Sequence, residues 1–499
     1  MQSEHLSTAV TKRPEDENLG LLANIAYGFQ HVLTMYGGII AVPLIVGQAA
    51  GLGSAEIGLL IAASLFIGGL ATVLQTLGIP FFGCQLPLVQ GVSFASVATI
   101  VAIVTAGGGL PSVFGAVIAA SLIGLLITPI FSKIIRFFPP LVTGAVITTI
   151  GLTLMPVAAR WAMGGNMKSP DFGSMANIGL AAFTLALVLV FSKLGSAAIS
   201  RLSILLSMVG GTLLAWMLGM VDFSQVLVGP IFAFPTPFHF GTPEFHLPAI
   251  ISMFIVVLVI LVETSADVLA VGDIIETKVD SRRLGDGLRA DMISSVIAPL
   301  FGSFTQSAFA QNVGLVAVTG VKSRFVVTFA GIILIILGLM PLMGRVIAAV
   351  PTAVLGGAGV VLFGTVAASG IRTLGKVNYQ NNMNLIIVAT AVGFGMLPIV
   401  MPSFYDAFPD WFATIFHSGI SSTAIMAIAL NLLFNHMKLG NSDQQSVFVA
   451  GTEDRSVRPA VIFDLNEGDY FKNGKLFDAQ GNEVAVVPLK DRPKPPSDH

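Results

Sequence analysis

The chain has 499 residues, of which 54% are hydrophobic and 10% charged. Soluble domains carry about 25% charged residues, so this composition defines an integral membrane protein. The formal net charge of -2 gives no basic footprint for nucleic acid, and the single cysteine, Cys84, excludes an internal disulfide and a thiolate metal cluster.

Residues 1–20 begin the chain in polar, charged sequence. They lack the apolar core of a cleavable signal peptide, and residues 1–18 are predicted to be a disordered cytoplasmic tail. Fourteen candidate spans follow, most of them near the roughly 20 apolar residues that cross a bilayer core. Seven lie within residues 21–221 and seven within residues 247–436. The polar segment 222–246 separates them and is predicted to be extracytoplasmic. Residues 437–499 form a hydrophilic cytoplasmic tail. Within it, turn signals at Asn473-Gly474 and Gln480-Gly481 between short apolar runs predict a small hairpin. The last residues, DRPKPPSDH, read as disordered.

Placing both termini inside gives the inward loops eleven Lys and Arg residues, among them Lys133, Arg136, Arg201, Arg283, Arg324 and Arg372. The outward loops receive three: Arg160, Lys168 and Arg345. This asymmetry obeys the positive-inside rule and supports the span count. An odd number of spans per half inverts the second half. Two sequence echoes agree with such a repeat. LPLVQGVSFASV at Leu86–Val97 matches SAFAQNVGLVAV at Ser307–Val318, setting Gln90 against Gln311. PPLVTGAV at Pro139–Val146 matches PTAVLGGA at Pro351–Ala358. Inverted repeats place a substrate site between corresponding broken spans, which nominates the third and tenth.

The tenth span, Gln306–Gly320, is too short to cross a bilayer and carries Gln306, Gln311 and Asn312 with Gly314 behind them. Amides at membrane depth need partners, and irregular backbone persists there only when buried in protein or lining a wet cavity. The stretch reads as a broken half-span facing a polar ligand, or as interhelical glue. The third span is interrupted by Pro80, Gly83, Gln85, Pro87, Gln90, Gly91 and Ser93.

Glu263 lies about 24 Å along the eighth span from Leu247, inside the hydrocarbon core. Asp267 follows at i+4, one turn away on the same face. Two such carboxylates cannot comfortably both be charged, which is the physical basis of proton coupling; a structural pair is the alternative. Asp291 in the ninth span is a candidate partner for them, or a helix N-terminal acid. His31, after Gln30 in the first span, fits a packing residue or a ligand. Tyr36-Gly37-Gly38 permits close backbone approach. Phe94 could stack on a planar ring or simply face lipid or core. The histidines lack metal-ligand spacing, and no Walker A sequence is present.

Together these residues resemble the nucleobase–ascorbate transporter family, and more closely its xanthine/uric acid permease branch. The family signature is Gln-Asn-x-Gly, four residues, then Thr followed by Arg, Lys or Gly. Gln311, Asn312, Gly314, Thr319 and Gly320 meet it. Gln30-His31, Phe94, Glu263 and Asp291 match family positions in the first, third, eighth and ninth spans. The resemblance covers about residues 20–436.

It implies an all-α polytopic membrane protein with a seven-plus-seven inverted repeat. Spans 1–4 and 8–11 would form a core domain and spans 5–7 and 12–14 a gate domain, with short antiparallel strands in broken spans 3 and 10. It implies a homodimer in the cytoplasmic (inner) membrane, surrounded by membrane lipid, taking up a purine base by an elevator motion, with the proton as coupling ion and no other cofactor. In that picture Glu263 and Gln311 clamp the base, and the backbone of Phe94 and Ala310 adds hydrogen bonds. Gly38 lies near the pocket, and Ser93 leaves room for the extra carbonyl of urate. His31, Asp267 and Asp291 support or couple the site, and Asn312 shapes it.

Gln311 stands where uracil permeases tend to have Glu. A neutral amide both donates and accepts and does not repel an oxyanion, which suits an oxidised purine such as xanthine or uric acid. The alternatives are a uracil or other nucleobase permease and an inorganic-anion transporter of the same fold. No nucleophile–base pair or metal set supports an enzyme.

Overall fold

A backbone in hydrocarbon must satisfy its own N–H and C=O groups, and a helix does so internally. The long apolar runs of this chain accordingly fold as helices. The computed structural model describes residues 13–131, 138–196, 199–200, 202–221, 223–224, 226, 228–380, 382–436, 470–472, 475–478, 481 and 483–484. The chain divides into two units, Met1–Ser442 and Asp443–His499.

In the first half of the membrane unit the elements are α1 (Leu21–Ala49), α2 (Ser54–Leu77), β1 (Gln90–Val92), α3 (Val97–Ile103), α4 (Gly109–Ile127), α5 (Pro140–Ala162), α6 (Met175–Leu194) and α7 (Ser203–Met217). The second half contains α8 (Leu247–Ile275), α9 (Ser281–Ile297), β2 (Gln306–Ala308), α10 (Ala310–Thr319), α11 (Arg324–Gly338), α12 (Pro341–Ala348), α13 (Thr352–Leu374), α14 (Asn382–Val400), α15 (Asp410–Phe416) and α16 (Gly419–Asn431). Each half supplies seven membrane segments, with β1–α3 and β2–α10 as the broken third and tenth. Among the described residues, eight helical stretches are long and apolar enough to cross a bilayer. One of them joins α3 to α4. Two bent pairs, α11/α12 at 79° and α15/α16 at 87°, raise the number to ten. The remaining segments, α7, α9 and α10, have only 15, 17 and 10 residues.

The repeat is visible in element lengths. α1 and α8 each have 29 residues, and α5 and α13 each have 23. Pro139 and Pro351 are the N-caps of α5 and α13, so that echo holds in register. The other echo is displaced. β1 pairs antiparallel with β2, with Gln90 opposite Ala308, Gly91 opposite Ser307 and Val92 opposite Gln306. By order along the strands, Gln90 corresponds to Gln306, and Phe94 to Ala310. The Gln90–Gln311 match of the sequence therefore joins residues at different places in the two repeats. Small polar residues recur in both broken spans, which blurs the register.

The strand pair continues at each end through a Ser93 N–H bond to Thr305 O (2.9 Å) and a Phe309 N–H bond to Val89 O (3.1 Å). All six paired residues are buried. Open strand edges are untenable in a membrane, and helix hydroxyls close them. Thr72 Oγ1 of α2 accepts the Gln90 N–H at 2.9 Å, and Ser295 Oγ of α9 accepts the Gln306 N–H at 2.8 Å. Gly302, at φ +85°, makes the turn from α9 towards β2 that a side chain would strain.

Helices approach closely where side chains are absent. A Cβ at Gly151 of α5 would lie 2.3 Å from the Ala367 backbone nitrogen of α13, and one at Gly370 of α13 would lie 2.2 Å from that of Thr148. Association in lipid depends on such packing rather than on a hydrophobic drive.

Residues 13–18 are ordered, unlike the disordered tail expected there. Glu15 is buried and pairs with Arg283 of α9 at 2.5 Å, and Asp16 pairs with Arg324 of α11 at 2.8 Å. The acids of this segment find guanidinium groups at the first turns of two helices, which fixes it. Lys133, Arg136 and Arg201 of the loop-charge pattern lie outside the described residues.

In the second unit, β3 (Tyr470–Lys472), β4 (Lys475–Phe477) and β5 (Glu483–Val484) form an antiparallel sheet in that order. The expected hairpin gains a third strand, because the second turn signal also reverses the chain. Gly481 there has φ +87°. Asn473, Gly474, Gln480 and the last residues, DRPKPPSDH, lie outside the described residues.

Gly151→Leu should overpack the α5–α13 contact, at a cost of about 1–3 kcal/mol or more. A lowered thermal midpoint of the detergent-purified protein would register it. Gly393→Ala, with nothing within 4 Å of the added Cβ and a better helix former in place of glycine, should not lower the midpoint.

Candidate functional site

Antiparallel pairing directs the two half-helices away from the strands in opposite directions, so their N-termini converge. The first turn of a helix leaves N–H groups without intrahelical acceptors. Here the N–H groups of Phe94, Ala310 and Gln311 find no acceptor among the described residues. They border a cavity of about 200 Å³. Its wall comprises Val92, Phe94 and Ala95 from one broken span, Ser307 to Gln311 from the other, and Glu263 of α8. Ile147 and Ile150 of α5, and Thr365, Val366, Ser369 and Arg372 of α13, complete it.

Glu263 makes no hydrogen bond or ion pair with the described residues, so its carboxylate is free to meet a ligand. Asp267, one turn further along, does not line the cavity, and its Oδ2 is buried without a partner. Asp291 lies well inside α9 rather than at its N-terminus. It faces the eighth span, where Thr264 Oγ1 donates to its Oδ2 at 2.6 Å and accepts the Ala308 N–H at 3.2 Å. Thr264 thus links the acid of α9 to strand β2.

His31 is buried, and its interactions are with α10 rather than with the cavity. Asn312 Nδ2 donates to His31 O at 3.0 Å and lies 3.1 Å from His31 Nδ1. The second contact is a hydrogen bond when Nδ1 is bare, which places the ring proton on Nε2. Asn312 itself is buried and outside the cavity lining. Ser93 is also buried outside it, and its Oγ caps the Ala95 N–H at 3.2 Å. Gly38 borders an adjoining cavity of about 440 Å³ that shares Gln311 and Thr365 with the first. A Cβ at Gly38 would lie 2.8 Å from the Phe309 ring. Phe94 and Phe363 meet edge to face with centroids 6.2 Å apart.

Of the residues nominated from sequence, Glu263, Phe94, Ala310 and Gln311 come together around one space. Gly38 lies beside it, and His31, Ser93, Asp267, Asp291 and Asn312 lie behind its wall. Sequence reasoning missed Thr264, Phe309 and Arg372. Arg372 was expected in an inward loop, whereas it occupies the last turn of α13 and lines the cavity. Its signal was present in Thr365, Ser369 and Arg372, a polar stripe at i, i+4 and i+7 of an apolar helix.

An inverted repeat whose broken spans meet at a polar cavity is the architecture of a secondary transporter. A family model described as a permease family, Xan_ur_permease, matches residues 22–404. The chain belongs to this family, the nucleobase–ascorbate transporters. It is 40% identical over 441 residues to the uric acid transporter UacT of Escherichia coli (strain K12), a match covering 87% of this chain and 91% of that protein. It is 37% identical to the xanthine permease of Bacillus subtilis (strain 168), over 86% of this chain and 98% of that protein. The transmembrane domain of the cyanobacterial bicarbonate transporter BicA shares the fold. Its TM-score is 0.56 at 17% identity, covering 83% of this chain and 98% of that one. The protein is therefore a multi-pass membrane transporter.

Thr264→Val keeps the side-chain shape but leaves Asp291 and the Ala308 N–H without this hydroxyl. Stability should fall by about 1–3 kcal/mol, and uptake should fall with it. Thr264→Ser should restore both. Thermal midpoints and uptake rates of the two variants check this, and equal behaviour of Val and Ser would contradict it.

Proposed function

We propose that the chain takes up an oxidised purine base, xanthine and/or uric acid, by proton symport. The observation that carries this reading is the cavity itself. A carboxylate from α8 faces the Gln311 amide and unpaired N–H groups from both broken spans. The rings of Phe94 and Phe309 and the side chains of Ile147, Ile150 and Val366 add apolar surface. An oxidised purine is flat and apolar on its faces, and its edge alternates N–H donors with carbonyl acceptors. Glu263 accepts from the ring N–H groups, Gln311 both donates and accepts, and the backbone N–H groups of Phe94 and Ala310 donate to carbonyls. Phe94 packs on the ring. The relatives named for uric acid and xanthine support this substrate class.

The carboxylate also supplies the coupling. Glu263 inside the membrane is costly to leave charged, so its protonation and substrate occupancy are linked. The proton is the only coupling ion in this account. Asp267 and Asp291 share the buried charge, while His31 and Asn312 set the placement of α10. Ser93 leaves space beside the ring and Gly38 lets Phe309 approach. Elevator-type access follows if the unit bearing spans 1–4 and 8–11 slides against spans 5–7 and 12–14. The cavity, walled by α8 and the broken spans on one side and by α5 and α13 on the other, suits that division. A homodimer in the cytoplasmic (inner) membrane, surrounded by lipid with both termini inside, completes the proposal. It rests on the family resemblance and the loop charges.

Radiolabelled xanthine and urate uptake tests it in cells lacking their own purine permeases. Uptake of at least one base should be abolished by a protonophore, and Glu263→Gln should reduce it by about tenfold or more. Absence of uptake of both bases, with the protein present in the membrane, would refute the substrate class.

A further inference from the structure

We propose that Arg372 reads the charge of the substrate, making the cavity favour the monoanion of an oxidised purine over the neutral base. This inference rests on the purine-uptake reading above and identifies a specificity-determining residue for it.

Arg372 lies in the last turn of α13, on the face that also turns Thr365 and Ser369 into the cavity. Its guanidinium makes no hydrogen bond or ion pair with the described residues. The contrast with other arginines is informative. Arg283 donates to Cys84 O and Gln85 O, Arg289 to Phe81 O, Arg324 to Thr76 O, and Arg345 to Val226 O. Those guanidiniums are held by backbone carbonyls and serve the scaffold. Arg160 and Arg282, exposed like Arg372, also make no such bond, but of these three only Arg372 lines the cavity, where a planar fork of N–H groups suits a delocalised oxyanion.

Among the described residues that line the cavity, Glu263 of α8 is the one other charged group, and Asp267, behind that wall, feels the charge of Arg372. The lining residues from α3, α5 and α10 carry no charge. The unpaired N–H groups of Phe94, Ala310 and Gln311 at the half-helix ends add partial positive charge to the same cavity. Glu263 alone would repel an anion. Arg372 and the helix ends offset that repulsion, while Glu263 still demands a ligand with N–H donors. An inorganic anion lacks those donors, whereas a purine monoanion has both the charge and the N–H edge.

A basic residue in a last helical turn also complements the helix dipole, so a purely structural role must be distinguished by selectivity. Urate loses its first proton in mildly acidic solution and xanthine only in mildly alkaline solution. At neutral pH one ligand is therefore charged and the other mostly neutral. Equilibrium binding of both to the purified full-length protein separates the roles without involving a proton gradient. Arg372→Gln should weaken urate binding by about tenfold or more and neutral xanthine by no more than about twofold. In alkaline solution, where xanthine is ionised, the same substitution should weaken xanthine as well. Arg372→Lys, which keeps the charge, should retain most urate binding. If the glutamine variant does not fold, Arg372→Ala takes its place in the comparison.

Equal loss for both ligands at neutral pH, or loss for neither, would overturn the inference while leaving the purine reading intact. So would a wild-type protein that binds xanthine but not urate. Wild-type protein that binds neither base would overturn both the purine reading and the role of Arg372.

Discussion

Breaking a helix inside a bilayer leaves backbone groups with no water to bond, and the short β1–β2 pair is how this chain meets that constraint. Each broken span supplies the other with hydrogen-bond partners, so neither can be ordered alone. Thr72 and Ser295 then satisfy the outward-facing N–H groups of Gln90 and Gln306. The same pairing produces the site. Strands that run antiparallel bring two helix N-termini together, and the N–H groups those helices cannot use internally become available to a ligand. A single half-span would present one such end, and two continuous helices would present none.

Around this crossing the polar side chains divide into those that meet the cavity and those that hold its wall. Glu263 and Gln311 belong to the first set. Asp291, Thr264, Asn312 and His31 belong to the second, bonded in pairs that tie α8 to α9 and β2, and α10 to α1. Moving the cavity-lining amide of Gln311 therefore means moving the helix that Asn312 ties to α1. Facing this assembly, α5 and α13 meet through glycines at Gly151 and Gly370 and present a mostly apolar wall interrupted by one polar stripe. Two differently built surfaces thus enclose the cavity.

Much of this was legible in sequence because the membrane imposes simple rules. Span lengths, loop charges and the interrupted stretch Gln306–Gly320 follow from hydrocarbon thickness and the cost of exposed backbone. Glu263 stands out because an acid so deep in a span has few benign explanations. The register of the repeat was less legible, since Gln90 and Gln311 look alike in sequence but stand at different points of the two broken spans. Thr264 passed unnoticed because a hydroxyl in a membrane helix usually bonds its own backbone. Whether it reaches across to Asp291 depends on helix rotation. In sequence Arg372 looks like a loop residue, because a cation at a span end satisfies the positive-inside pattern wherever its side chain points. The order in residues 13–18 depends on partners hundreds of residues away, Arg283 and Arg324, which no local pattern reveals.

The most direct measurement is a structure determined with urate or xanthine bound. The base should lie between the half-helix N-termini, with its edge on Glu263 and Gln311 and its carbonyl groups near the N–H groups of Phe94 and Ala310. A base bound instead in the adjoining cavity beside Ser200 and Ser203, out of reach of Glu263, would contradict the account of how the broken spans create the site.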